Sequence, residues 1–291
     1  MQAQAYREEG IMKLSVGNFS FQRLPLDATL MVCKSLGFGW VDLGVFAGET
    51  PSQIAPKAIA EDPRREADKL AALLDKHGLR ASDLFTQFGP AHEIHSINDP
   101  DPAVRAEDLR QLQAVAQLCS MIGCPGITIL PGMEQAGRSQ AENIAESIAF
   151  LRQAVDITGE QGVELRFEPH IGAVAYSPEL ALELVHGAPG LKVTLDLSHF
   201  VQQYIPLERV WPLVPHTGHV HIRSARAGKL QTMWRENTID FPGLIQRLGD
   251  AGYQGALCIE YVCGDWYDVN QIDTITETYF ARQALAPLVG A

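Results

Sequence analysis

The feature that most limits what this chain can become is an alternation. Eight short runs of β-branched, aromatic and aliphatic residues recur along it: "IMKLSVGNF", "WVDLGVF", "LRASDLFTQF", "GITILPG", "VELRFEPH", "LKVTLDLSHF", "GHVHIRSA" and "ALCIEYV". Most follow a Gly-containing turn such as "LGFGW", "KHGLR", "EQGVE" or "HTGH", which is how strands are punctuated. The longer stretches between them carry helical spacing. "PRREADKLAALLDKHG" places Ala67, Leu70, Leu73 and Leu74 on one face and stops at Gly78. Ser139 and Glu142 form a capping box, Ser177 and Pro178 open another helix, and Asp240 caps one that ends at Gly252. A last helix is predicted from about Asn270 to Leu285. Eight such units in 291 residues predict a (β/α)8 TIM barrel, an α/β fold in a single domain. A doubly wound open sheet is the rival, but no Gly-x-Gly-x-x-Gly turn follows the first strand. No linker breaks the pattern, so the barrel is expected over residues 12–291, with the polar segment 1–11 as a loose tail.

Composition removes several classes of function. The formal net charge is -12 and no basic run occurs, which argues against a nucleic-acid partner. No stretch is apolar over the ~20 residues that a membrane-spanning helix needs. The N-terminal segment lacks the apolar core of a signal peptide, so a cytoplasmic location is expected. The five cysteines share no recurring spacing and predict neither a disulfide framework nor a structural zinc site.

Chemistry in such a barrel gathers at the C-terminal ends of the strands. The fifth strand ends in Glu168, Pro169 and His170, and the sixth in Asp196, with His199 three residues on. The seventh carries His219, His221 and Arg223, with Arg226 just beyond, and the eighth ends in Glu260 and Tyr261. Each residue has a plain alternative. Asp196 reads equally as a helix cap, Glu168 as a partner of Arg166 or Arg223, and one of His219 and His221 as a packing histidine. Glu260, inside the apolar run "CIEYV", is hardest to explain without a partner. Four consecutive strand ends, each with a carboxylate or an imidazole, would repel one another unless a cation joined them. The set therefore predicts a site for one divalent ion. Its oxygen-rich character favours Mn²⁺, with Mg²⁺, Co²⁺ or Zn²⁺ as alternatives. His92 and His95 follow the third strand near the same mouth, whereas His77, His186 and His216 read as helix-end residues.

The order Glu168 in "FEPH", Asp196 and His199 in "DLSH", His221 in "HVHIR" and Glu260 in "IEY" resembles the xylose isomerase-like barrel superfamily, the sugar phosphate isomerase/epimerase group. "IDFPGLIQRLGDAGYQGALCIEY" is similar to that family's last βαβ segment. The resemblance implies that Glu168, Asp196, His221 and Glu260 hold the ion. It also implies that His199 contacts the substrate or a metal-bound water and that Arg226 lies near a substrate-binding position; His170 and Arg223, at the same strand ends, are further candidates for substrate contact. The usual Lys-Asp after the seventh-strand His is replaced here by "HIRSAR", and a longer run, "RAGKLQTMWREN", stands where the family has a short Gly-rich loop.

The chemistry expected is that of a metal-dependent isomerase or epimerase of a small polyhydroxy carbonyl compound. Glu168 and Glu260 would move a proton through an enediolate stabilised by the ion. A lyase or dehydratase acting by β-elimination on a keto-sugar, keto-inositol or keto-glycoside is the alternative. An endonuclease IV-like repair enzyme is a remote third: "ILPGMEQ" offers no fourth-strand His, and no Asp-x-His follows the seventh strand. A non-catalytic sugar-binding role is opposed by the intact carboxylate set. Specificity is expected in the loops "GETPSQIAPKAIAEDP" and "TMWRENT", and Trp211, Trp234 and Trp266 are candidates for a pocket or an interface. A homodimer is possible, as barrels often pair.

Overall fold

The computed structural model of the protein describes residues 12–48 and 50–290; the segment 1–11, expected as a tail, lies outside the described residues. Eight parallel strands close a barrel in sequence order: β1 (Lys13–Gly17), β2 (Trp40–Phe46), β3 (Arg80–Gln87), β4 (Gly126–Ile129), β5 (Glu164–Phe167), β6 (Lys192–Asp196), β7 (Thr217–Ile222) and β8 (Ala256–Ile259). Closure is made by β1 against β8, with Leu14 opposite Leu257 and Val16 opposite Ile259. Among the described residues ten α-helices accompany the strands: α1 (Leu26–Ser35), α2 (Pro56–Glu61), α3 (Pro63–His77), α4 (Pro102–Met121), α5 (Gln140–Gly159), α6 (Pro178–Gly187), α7 (Leu197–Gln202), α8 (Leu207–Val210), α9 (Phe241–Asp250) and α10 (Thr274–Val289). None of the described helices is long and apolar enough to cross a membrane.

The helix signals work as their chemistry requires. Ser139 and Glu142 exchange both hydrogen bonds of the capping box at α5. Ser177 caps α6 ahead of Pro178, and the Asp240 carboxylate accepts from Gly243 N at α9. Gly78 ends α3 with φ 60°, a conformation that favours glycine. The last helix differs from expectation: Asp273 caps it, so it starts at Thr274 and runs on to Val289. Helices α1 and α2 have no clear counterpart in the sequence reading. The first opens after Pro25 with no side-chain cap, and the second is a single short stretch within the long β2–α3 connection.

Strand alternation sorts the side chains. Val193, Leu195, Val220, Ile222, Leu257 and Ile259 face outward and are buried beneath the helices. The inward positions are polar to an unusual degree, and their pairing is what makes the interior tolerable. On the floor, Asp42 accepts from Ser15 Oγ at 3.0 Å, Ser82 Oγ at 2.5 Å and His219 Nε2 at 2.5 Å. Across β4, Arg166 Nη1 donates to Asp83 Oδ1 at 2.9 Å and Nε to Glu164 Oε1 at 2.8 Å. The pair passes over two glycines: a Cβ at Gly126 would overlap the guanidinium, and one at Gly218 would overlap the Glu164 carboxylate. Thr128 and Thr194 share a hydrogen bond of 2.6 Å nearby.

Two stability tests follow from this interior. Arg166→Met leaves Asp83 buried without its cation and is expected to destabilise the fold by about 3–5 kcal/mol. Asp42→Asn offers three donors an amide with only one acceptor, at a cost of about 1–3 kcal/mol for each donor left unmet. Urea unfolding followed by circular dichroism reads both, and an unchanged midpoint for either variant would refute its assigned role.

Candidate active site at the barrel mouth

The residues singled out at strands five to eight do converge, with one exception. Glu168, His170, Arg223 and Glu260 line a cavity of about 630 Å³ at the C-terminal end of the barrel. Asp196 and His199 lie buried just behind it. Arg226 stands apart: it is exposed, it is not part of the lining, and its backbone pairs with Lys229 across a tight turn.

The centre of the cluster is His221. Its Nδ1 lies 2.7 Å from Glu168 Oε1 and 2.6 Å from Glu260 Oε2. One N–H cannot serve two carboxylate oxygens, and Glu260 Oε2 is left buried without a hydrogen-bond partner. Its Nε2, also unpartnered, points down to Asp42 Oδ2 at 3.6 Å. Burial alone would lower the imidazole's affinity for a proton, but Glu260 and Glu168 outweigh it and hold His221 well above the usual range.

The three carboxyls have distinct surroundings. Glu168 is pushed up to about 7 by burial, which His221 only partly offsets. Burial acts the same way on Glu260, but Arg223 and then His221 overcome it and hold that carboxyl below its ordinary value. Asp196 caps α7 by accepting from Ser198 N at 2.8 Å through Oδ1. Its other oxygen, Oδ2, receives Arg223 Nη2 at 2.6 Å and Nε at 3.0 Å. The cap reading of Asp196 is thus met through Oδ1, while Oδ2 is held by Arg223. Arg223 Nη2 also reaches Glu260 Oε1 at 3.1 Å and His199 Nε2 at 3.0 Å, while its Nη1 is buried without a partner. A guanidinium only donates, so His199 Nε2 accepts; burial, with His170 and Arg223 nearby, keeps that imidazole neutral. His170 is likewise pushed down to about 3 by burial and by His92, whose ring sits 5.2 Å away.

The donor set suits a divalent cation. Single ligand atoms from Glu168, His221 and Glu260 all lie within 4.8 Å of one another, all buried. The oversubscribed Nδ1 and the orphaned Glu260 oxygen are what an ion placed among them would satisfy. Two further buried groups have suitable atoms: Glu168 with His170 and His199, and Asp42 with His219, His221 and Cys258.

The opposite wall carries residues the sequence reading did not single out. Phe19, Phe46 and Phe85 pack with centroids 5.4–5.8 Å apart, and Phe85 lies 5.5 Å from the His221 ring. Gln22, Gln53 and Gln87 add amides to this side, and Trp266 and Tyr267 form part of the rim. Of the two loops expected to set specificity, the first contributes Gly48, Thr50 and Gln53 to the lining. The second, "TMWRENT", does not reach it: Trp234 stacks on Phe241 at 5.4 Å on the helical side. Trp211 is occupied by Arg247, 4.7 Å from its ring. His95, bonded through Nδ1 to Asp108 at 2.6 Å, faces α4 and does not line this cavity, whereas His92 does.

Comparison with known proteins adds a lineage to this geometry. The chain is 25% identical over 209 residues to 2-oxo-tetronate isomerase from Haemophilus influenzae, a match covering 67% of this chain and 78% of that one. It is 24% identical over 249 residues to a putative hydroxypyruvate isomerase from Homo sapiens, covering 81% and 83% respectively. The solved structure of the IOLI protein with a bound zinc atom superposes with a TM-score of 0.72 at 17% identity, covering 96% of this chain and 98% of that one. The family model described as "Xylose isomerase-like TIM barrel" matches residues 30–279, and this chain belongs to that family.

Proposed function

We propose that the protein is an isomerase of a small polyhydroxy keto compound, moving a proton between two adjacent carbons, with Glu168 and Glu260 as the groups that carry it. The observation behind this reading is the placement of the two carboxyls. Both are buried at the base of the same cavity, on either side of His221 Nδ1 at 2.7 and 2.6 Å. A substrate carbon seated above that nitrogen would have an acid group on each side.

The chemistry balances without a redox partner. One carboxylate takes the proton from the carbon beside the carbonyl, and the electron pair forms an enediolate whose former carbonyl oxygen then takes the proton of the neighbouring hydroxyl. The carbon that bore that hydroxyl becomes the new carbonyl, and the second carbon–hydrogen bond forms at the former carbonyl carbon. Positioned proton transfer of this kind contributes ~10²–10⁴-fold. Arg223 Nη1, buried and unpartnered at the cavity wall, is the donor available to a substrate oxygen. His170 contributes a neutral imidazole to the same wall, with His199 behind it. The Phe19, Phe46 and Phe85 wall covers the apolar face of a carbon chain and keeps water from the reacting carbons.

Glu168, His221 and Glu260, with Asp196 as fourth donor, would hold the metal ion. When bound it supplies a Lewis acid for the substrate's carbonyl. Mn²⁺ is our first assignment on the oxygen-rich set, and Zn²⁺ the second. The isomerase names of the two sequence relatives support the reaction type.

Incubating the protein with Mn²⁺ and a panel of keto-sugars and keto-acids in D₂O tests the reading. Deuterium is expected in the recovered substrate and product, and mass loss of water or an aglycone would instead indicate a lyase. Glu260→Gln and Glu168→Gln are each expected to reduce exchange by at least ~10²-fold while the circular dichroism spectrum is retained. Exchange at the wild-type rate in either variant would remove that residue from the mechanism.

A further inference from the structure

We infer that Trp266 and Tyr267 form a second subsite at the mouth, which takes an uncharged ring joined to the reacting keto-polyol, so that the substrate is a glycoside and not a free sugar. The inference rests on the isomerase reading above and names its substrate class.

Both residues belong to the connection between β8 and α10, and both line the cavity that holds Glu168 and Glu260 at its base. They are large and exposed, and their rings meet edge to face, 6.0 Å apart and at 88°, so together they make a corner at the rim. The loop keeps them there against its own preference. Tyr267 and Asp268 are successive non-glycine residues in the left-handed region, with φ 48° and 57°. Strain of this kind persists only where the surroundings impose it, and it gathers at ligand clamps. A Cβ at Gly264 would overlap the Trp266 indole, so the ring lies down on the backbone of its own loop.

The long run "RAGKLQTMWREN" after β7 supplies what imposes it. Gln231, within that run, is wholly buried. Its Oε1 accepts from Val262 N at 2.9 Å, and its Nε2 donates to Val262 O at 2.9 Å and Val269 O at 3.1 Å, so one amide ties both ends of the loop. Gln22 Nε2, from the β1–α1 connection, donates to Cys263 O. A rim held in this way has less freedom to lose when a ligand settles on it. The cavity has the room: its volume of about 630 Å³ lies within the ~300–1,000 Å³ of sites that enclose drug-sized ligands, more than a single small keto-polyol fills. Glu93 lines the same mouth, and Asp265 and Asp268 flank the two rings in sequence, which disfavours an anionic unit there. A neutral ring with an apolar face, aryl or sugar, is the group that packs on an indole and a phenol.

Calorimetric titration with matched, non-reacting glycosides tests the subsite without relying on turnover. The probes are the methyl, phenyl and glucosyl glycosides of glucose, galactose and mannose. For at least one sugar, the phenyl or the glucosyl member is expected to bind at least ~10-fold tighter than the methyl member. A gain with the phenyl member alone marks an aryl aglycone, and a gain with the glucosyl member marks a second sugar. Trp266→Ala is expected to bring the ratio close to one, and Trp266→Phe, which keeps a smaller ring, to restore part of it. Gln231→Ala is expected to lower the ratio as well, with the circular dichroism spectrum retained; if that variant fails to fold, the exposed Trp266 carries the test alone. Equal or undetectable binding of all members, or a ratio that survives Trp266→Ala, overturns the inference. Deuterium exchange separates it from the reading it rests on. No exchange with any keto-sugar, free or glycosylated, overturns the isomerase reading, and the binding ratios still decide whether the ring subsite exists.

Discussion

Three carboxylates share one dry space at the end of this barrel. Glu168, Asp196 and Glu260 are all buried, and ionised groups at such spacing in a low dielectric cannot coexist without nearby positive charge. The charge comes chiefly from one strand. Because alternate residues of β7 point inward, His219, His221 and Arg223 form a rising column of basic groups. His219 meets Asp42 at the floor, His221 meets Glu168 and Glu260 in the middle, and Arg223 meets Asp196 at the rim. Asp42, Glu168, Asp196 and Glu260 are each placed where a basic side chain from that column can reach them.

The same rule extends to the side of the barrel remote from β7's column. Arg166, two residues below Glu168 on β5, serves Asp83 on β3 and Glu164 on its own strand. Its route is cleared by Gly126 on β4, and Gly218 on β7 leaves room for the Glu164 carboxylate. Polar pairing of this kind fixes register as firmly as apolar packing does. A one-residue slip would turn these acids and bases into the helix layer and expose Val193, Val220 and Leu257 to the interior.

Much of this was legible from the residues. Strand alternation, the turn glycines and the caps at Ser139, Ser177 and Asp240 led to the barrel, and the rule that function gathers at strand ends led to Glu168, Asp196, His221 and Glu260. What escaped had physical reasons. Phe19, Phe46 and Phe85 are indistinguishable in sequence from core phenylalanines, because only the closed sheet decides which face a strand's aromatic presents. Asp42 sits in the apolar run "WVDLGVF", and the partner that explains it, His219, is 177 residues away. The resemblance implies a substrate contact for Arg226, yet the chain turns back there, and Arg223 is the arginine that keeps the inward parity of the strand. The loop "TMWRENT" turns to the helical side because Trp234 finds Phe241.

His221 joins the two polar layers into one unit. Its Nδ1 faces the mouth and its Nε2 faces Asp42, so the ring is oriented from below by the floor and from above by Glu168 and Glu260. Both nitrogens of the ring thus face carboxylate oxygens, which directs the imidazolium between floor and mouth. That accounts for a polar floor beneath the candidate site. An apolar floor would pack equally well, but it would leave the ring free to turn about its own axis, and the two carboxyls that flank Nδ1 would lose their common reference. The hydroxyls of Ser15 and Ser82 steady Asp42, Asp42 and His219 steady His221, and the separation between Glu168 and Glu260 is set by a chain of contacts that begins at the opposite end of the barrel.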